Sequence, residues 1–193
     1  LKKIFNYLKR FFGKGVFPSC FAFTLLNPLR RLILSPEELV SRLELEKDFR
    51  VLELGPGPGY FSIEAAKNIS EGELLLVDLQ PEMLEKARSR LNQAGVENFN
   101  CRQGDAVDLP VADNSCDVVF LVTVLGEVSA PKICLQEVYR VLKPGGLLSI
   151  TEQTGDTDYL SQSEVEELTA GTDFKFQKEY SGRGNYTVNY KKK

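Results

Sequence analysis

Val51-Leu52-Glu53-Leu54-Gly55-Pro56-Gly57-Pro58-Gly59-Tyr60-Phe61 is the stretch whose reading decides the fold. An apolar run carrying one acid leads into three glycines, after which Phe61, Ala65, Ala66 and Ile69 recur at helical spacing. That order predicts a buried strand, a tight loop and a helix, the opening of a βαβ unit. Glycines at 55, 57 and 59 let the backbone approach a ligand closely and take torsions that a Cβ forbids.

The details of the loop choose among ligands. A dinucleotide fingerprint spaces its glycines as G-x-G-x-x-G and aims backbone N–H groups at a pyrophosphate. Here the spacing is G-x-G-x-G, and Pro56 and Pro58 have no N–H to offer a phosphate. Glu53 adds negative charge where an anion is unwelcome. The loop suits a cofactor without phosphate, one that carries positive charge.

E-x-G-x-G-x-G after a strand resembles motif I of the class I S-adenosylmethionine (SAM) methyltransferases, whose cofactor bears a sulfonium and an ammonium and no phosphate. Two more stretches carry the resemblance. Val77-Asp78-Leu79-Gln80-Pro81-Glu82-Met83-Leu84 is similar to the family's V-D-x-x-P-E-M-L motif after the second strand. Arg140-Val141-Leu142-Lys143-Pro144-Gly145-Gly146 is similar to the R-x-L-K-P-G-G turn before its fifth strand. The resemblance covers about residues 50–191. It implies an α/β fold with a Rossmann-like seven-stranded sheet, five parallel βα units plus a C-terminal antiparallel hairpin, flanked by helices.

S-adenosyl-L-methionine is the cofactor that the resemblance implies. Its expected contacts are Glu53, Gly55, Pro56, Gly57, Gly59 and Tyr60 in the first loop, then Asp78, Leu79 and Met83. Gly104, Asp105 and Ala106 follow the third strand, and Leu121 and Thr123 lie on or after the fourth. Asp78 ends an apolar strand about 20 residues beyond the glycine loop, where such folds hold ribose hydroxyls. Family likeness gives Asp105 the adenine amino group and Met83 the adenine or ribose.

The rest of the chain reads consistently. Ser35-Pro36-Glu37-Glu38 is a helix start, with Leu39, Val40 and Leu43 as its buried face. Strands are expected at 73–77, 99–102, 116–122 and 147–151, and helices from Pro81 and over 131–142. Ser161 or Ser163 caps a last helix that stops at Gly171. Phe174–Tyr180 and Tyr186–Tyr190 then alternate as a hairpin around Ser181-Gly182-Arg183-Gly184.

A net charge of −3 conceals an asymmetry: residues 1–36 hold seven basic residues and no acid. Residues 1–12 have the 3–4 apolar spacing of a basic amphipathic helix. The run from Val16 to Leu26, broken by Pro18, is too short to span a bilayer, and no convincing cleavage site follows it. The expected organisation is a helical cap over 1–45 on a SAM-binding domain over 46–193. Residues 1–31 either pack as that cap or touch a membrane surface, or both, and the expected location is cytoplasmic. Four scattered cysteines and no histidine argue against a metal site.

Loops after the fourth and fifth strands are short, so the apolar, basic cap should cover the acceptor. A small hydrophobic acceptor, a quinone precursor or lipid-like molecule, fits best. Residues 121–128 lack the Asn/Asp-Pro-Pro-aromatic step of nucleic-acid methyltransferases, so no nucleic acid is expected. Glu127, past Gly126 in the loop after the fourth strand, is the candidate acceptor-facing residue, and its competing role is a helix-start acid before Pro131. Two other classes compete. A NAD-dependent oxidoreductase would share Asp78 but not the prolines, Glu53 or the hairpin. A non-catalytic SAM-fold protein would dock partners through the basic arm.

Overall fold

Apolar runs punctuated by glycine and proline become strands and helices in strict alternation along most of this chain. The computed structural model describes residue 26 and residues 28–193. The expected helix over 1–12, nearly all of the second apolar run and Cys20 lie outside the described residues. A 3₁₀ turn, Pro28–Leu32, precedes α1 (Pro36–Arg42), β1 (Arg50–Leu54), α2 (Ser62–Asn68), β2 (Glu73–Asp78) and α3 (Pro81–Gln93). Then come β3 (Phe99–Gln103), β4 (Cys116–Val122), α4 (Pro131–Val141), β5 (Leu142–Gln153), α5 (Gln162–Ala170), β6 (Phe174–Gly182) and β7 (Asn185–Lys192).

One seven-stranded sheet results, in the order β3-β2-β1-β4-β5-β7-β6. The first five strands are parallel, while β7 pairs antiparallel with both β5 and β6. Parallel strands are buried on both faces, which is why β1, β2 and β4 read as nearly unbroken apolar runs. Leu52, Val119, Leu121 and Ile150 pack on one face with Cys134, Leu135 and Val138 of α4. Val51, Leu74, Val118 and Phe120 pack on the other with Leu39 of α1, Ala65 of α2 and Leu91 of α3. Each such leucine or phenylalanine contributes about 1.5–3 kcal/mol by leaving water.

Two local expectations sharpen. Ser161, not Ser163, caps α5, and Glu164 returns the bond to complete a capping box. The fifth strand runs from Leu142 to Gln153, beyond the expected 147–151. Leu142 pairs with Cys116 and Leu147 with Val118, so Lys143–Gly146 bulges from the ladder. Lys143 Nζ donates to Asp117 Oδ1 at 2.7 Å across that bulge.

Two buried charged side chains set the geometry around the strand ends. Arg42, at the end of α1, donates to Asn185 Oδ1 at 2.8 Å and Thr187 Oγ1 at 2.7 Å, and also to Glu38. Asn189 Nδ2 donates back to the Arg42 carbonyl at 2.7 Å. Helix α1 is thereby fastened to β7, and the segment before it is fixed over the sheet.

Glu152 is 0% exposed, and neither of its carboxyl oxygens has a hydrogen-bond partner among the described residues. It pairs across the sheet with Tyr186. The loops after β4 and β5 meet close by, where a Cβ on Gly126 would stand 1.8 Å from the Asp158 carbonyl oxygen. Burial pushes Glu152 up to about 8, with Asp156, Glu127 and Asp158 adding like charge.

Arg42→Ala should cost about 3 kcal/mol in urea unfolding, because Asn185 and Thr187 keep their burial and lose a charged donor. For Glu152 the sign follows from proton uptake. Between the unfolded carboxyl range and about pH 8 the folded state holds a proton that the unfolded state has lost. Stability therefore falls as pH rises through that window. Glu152→Gln should match the parent near pH 4.5 and exceed it by at least about 1 kcal/mol at pH 8.5, read from thermal melts.

Candidate active site

A cleft of about 620 Å³ opens at the C-terminal ends of β1, β2 and β4. The sheet order reverses direction between β1 and β4, and open α/β sheets bind ligands in the crevice such a reversal leaves. Gly55 sits at its centre with φ +65°. Its N–H donates to the Val77 carbonyl at 2.8 Å, and a Cβ there would lie 2.5 Å from Val124 Cγ2. Only glycine meets both demands.

Two acids stand beside this loop. Glu53 is buried and accepts from Ser62 Oγ at 2.5 Å. Burial pushes it up to about 7, opposed by the Ser62 bond and by Arg30. Asp78 accepts from Gln80 N at 2.9 Å and Gly57 N at 3.3 Å. Burial nevertheless holds Asp78 above its ordinary value, outweighing those amide bonds. An opposing positive charge would stabilise both carboxylates in their ionised form.

Most of the residues singled out in the sequence converge here. Glu53, Gly55, Pro56, Gly57 and Tyr60 line it from the end of β1 and the loop after it, and Asp78, Leu79 and Met83 from the end of β2 and the start of α3. Gly104, Asp105 and Ala106 line it from the loop after β3, and Thr123 and Glu127 from the loop after β4. Gly59 and Leu121 are elsewhere. A Cβ on Gly59 would lie 3.1 Å from Ala87, so this glycine serves the packing of α3 against the loop. Leu121 is 1% exposed within the core on the α4 face of the sheet.

Thr123 has φ +55°, a region that costs a β-branched residue of order 1–3 kcal/mol. Its N–H donates to the Thr151 carbonyl at 2.8 Å, which holds the chain there as it leaves β4. Glu127 borders the cleft, half-buried, and no acid occupies the first turn of α4. The helix-start role for Glu127 therefore finds no support.

Sequence reasoning missed Arg30, Asp156 and the valines at 122, 124 and 128, all on the cleft wall. Arg30 reaches in from the 3₁₀ turn before α1. Its guanidinium carbon lies 5.0 Å from the Tyr60 ring centre and 5.1 Å from that of Phe61. Its Nε donates to Gln153 Oε1 at 3.3 Å. Burial lowers its pKa, opposed by Tyr60, Asp156 and Glu53. No local pattern could have exposed this residue, since Gln153 lies 123 positions away.

Comparisons with known proteins agree with this geometry. The family model described as a methyltransferase domain matches residues 45–181. The ubiquinone/menaquinone biosynthesis C-methyltransferase UbiE of Haemophilus ducreyi is 39% identical over 110 residues, which are 56% of this chain and 42% of that protein. An arsenite methyltransferase of Halobacterium salinarum is 37% identical over 103 residues, 53% of this chain and 26% of its own length. The chain thus spans less than half of these curated relatives. A SAM-dependent methyltransferase from Aquifex aeolicus superposes with a TM-score of 0.85 at 23% identity, over 92% of this chain and 100% of that one, a likeness of fold. With a family match over most of its length and the corresponding sheet, the chain belongs to the class I SAM-dependent methyltransferase family.

Proposed function

We propose that this chain transfers a methyl group from S-adenosyl-L-methionine to a small hydrophobic acceptor of the quinone-precursor kind. The observation that carries the reading is one continuous cleft. It joins the glycine loop, Glu53 and Asp78 to Glu127 and to an apolar wall of Val122, Val124, Val128 and Phe61. The lining fits the cofactor: acids outnumber the arginine, and the prolines leave the loop poor in N–H donors.

When bound, the cofactor supplies a methyl group on a positively charged sulfur, open to in-line attack. The chain's part is orientation and charge. Glu53 stands where an ammonium is welcome, and Asp78 offers acceptor lone pairs to ribose hydroxyls. Glu127 takes the hydroxyl proton of a hydroquinone-like acceptor, which enriches the ring carbon that attacks. The valine wall excludes water from that ring. The name of the Haemophilus relative supports a quinone acceptor, while that of the Halobacterium relative supports methyl transfer without it.

Incubation with methyl-labelled SAM and reduced benzoquinols or naphthoquinols tests the reading. The chain should label the quinol, and Glu127→Gln should lower turnover about 100-fold with cofactor affinity unchanged. Cofactor binding without label in any quinol would reject the acceptor class and favour a non-catalytic role. Cofactor binding should also depend on pH. The ammonium of the ligand's amino-acid end favours ionised Glu53, so apparent affinity for S-adenosylhomocysteine should rise about tenfold from pH 6 to pH 8. Glu53→Gln should flatten that rise in calorimetric titrations.

A further inference from the structure

We infer that Arg30 is the residue that holds the α-carboxylate of the cofactor's methionine end. The inference rests on the SAM reading of the cleft and adds to it a contact from outside the region that carries the family motifs.

The argument begins with the ligand's own charges. An α-amino acid places an ammonium and a carboxylate on a single carbon, so its site needs an acid and a cation side by side. Among the described residues that line the cleft, five are acids (Glu53, Asp78, Asp105, Glu127 and Asp156) and Arg30 is the sole lysine or arginine. Glu53 and Arg30 each feel the other's charge. Arg30 also feels Asp156, more strongly than Glu53, so a cation flanked by acids faces the cleft, the combination that the amino-acid end requires.

The glycine loop cannot take over this duty. Backbone N–H groups are the usual donors to an anion at such a turn, but Pro56 and Pro58 have none. The Gly55 N–H is spent on the Val77 carbonyl and the Gly57 N–H on Asp78. Of the N–H groups from 55 to 59, the remaining one, on Gly59, donates to the Pro56 carbonyl at 3.0 Å. An anion entering here meets a loop without donors to offer. A guanidinium, with five N–H groups in a fixed fork, suits a carboxylate.

Arg30 is also held in place. Tyr60 and Phe61, the residues directly after the last loop glycine, present their rings to it at 5.0 and 5.1 Å. Gln153 Oε1 accepts from Nε at 3.3 Å. Both supports restrict the long side chain before any ligand arrives, which lowers the entropy lost on binding. The 3₁₀ turn that carries Arg30 leads directly into α1, and Arg42 fastens α1 to β7.

The test compares two ligands that differ only in the carboxylate. S-adenosylhomocysteine carries it, and 5′-(3-aminopropylthio)-5′-deoxyadenosine lacks it while keeping the amine, the thioether and the adenosine. Calorimetry on the parent should show S-adenosylhomocysteine bound at least tenfold more tightly. Arg30→Gln should weaken S-adenosylhomocysteine at least tenfold and change the decarboxylated ligand less than twofold, so that the preference disappears. Equal weakening of both ligands would make Arg30 a packing residue for Tyr60 and Phe61 and overturn the inference. Undiminished preference in the variant would overturn it too. A parent that binds both ligands equally would overturn it whether or not the variant folds. A parent that binds neither ligand would instead reject the SAM reading itself.

Discussion

The contact between Gly55 and Val124 is the constraint on which the rest of the site depends. β1 and β4 lie side by side, and the chain leaves the sheet after each on its way to opposite sides. Their first loop residues must nearly touch, because a Cβ at 55 would sit 2.5 Å from a Val124 methyl. That approach fixes the floor of the cleft. It also brings the glycine loop, built on β1, against the loop built on β4. In the function proposed above, a methyl group passing between two ligands needs them within near-attack distance, and this contact bears on that spacing.

Charge is distributed to the same end. Two carboxylates are driven upward by burial beside the glycine loop, and a third, Glu152, is fully buried under the meeting point of the loops after β4 and β5. Burying carboxyls costs stability unless they are protonated or paired. For Glu53 and Asp78, which line the cleft, an opposing positive charge entering it would favour the ionised form. Glu152 has no such access to the cleft, and protonation is its route to neutrality.

Much of this was legible in the sequence because it is local. Val51–Leu54, Leu74–Val77 and Cys116–Val122 announce themselves as buried strands through apolar runs broken by at most one acid, and Ser35 announces its helix through one hydroxyl and one proline. The glycine spacing and the two prolines separated a phosphate-free cofactor from a dinucleotide. What stayed hidden depends on distant pairing. Arg30 is a basic residue in a basic stretch until Tyr60, Phe61 and Gln153 surround it. Thr123 gives no hint of its left-handed backbone, which the Thr151 carbonyl imposes from the next strand. Leu121 was expected among the cofactor contacts from the resemblance, yet strand alternation turns it into the core.

The place of β7 bears on how the chain is made. In the sheet β7 lies between β5 and β6, although β6 precedes it in sequence. A nascent chain therefore releases β6 before the strand that will hold it exists, and β5 keeps a bare parallel edge until the same moment. The five parallel strands can assemble as they emerge, each against a strand already made, but closure of the sheet waits for Asn185–Lys192 to insert between two waiting edges. Exposed strand edges invite pairing with other chains. The interval before β7 arrives is thus when this protein is most vulnerable to aggregation. Substitutions in β7 would then be felt in the yield of folded protein sooner than in the activity of the molecules that succeed.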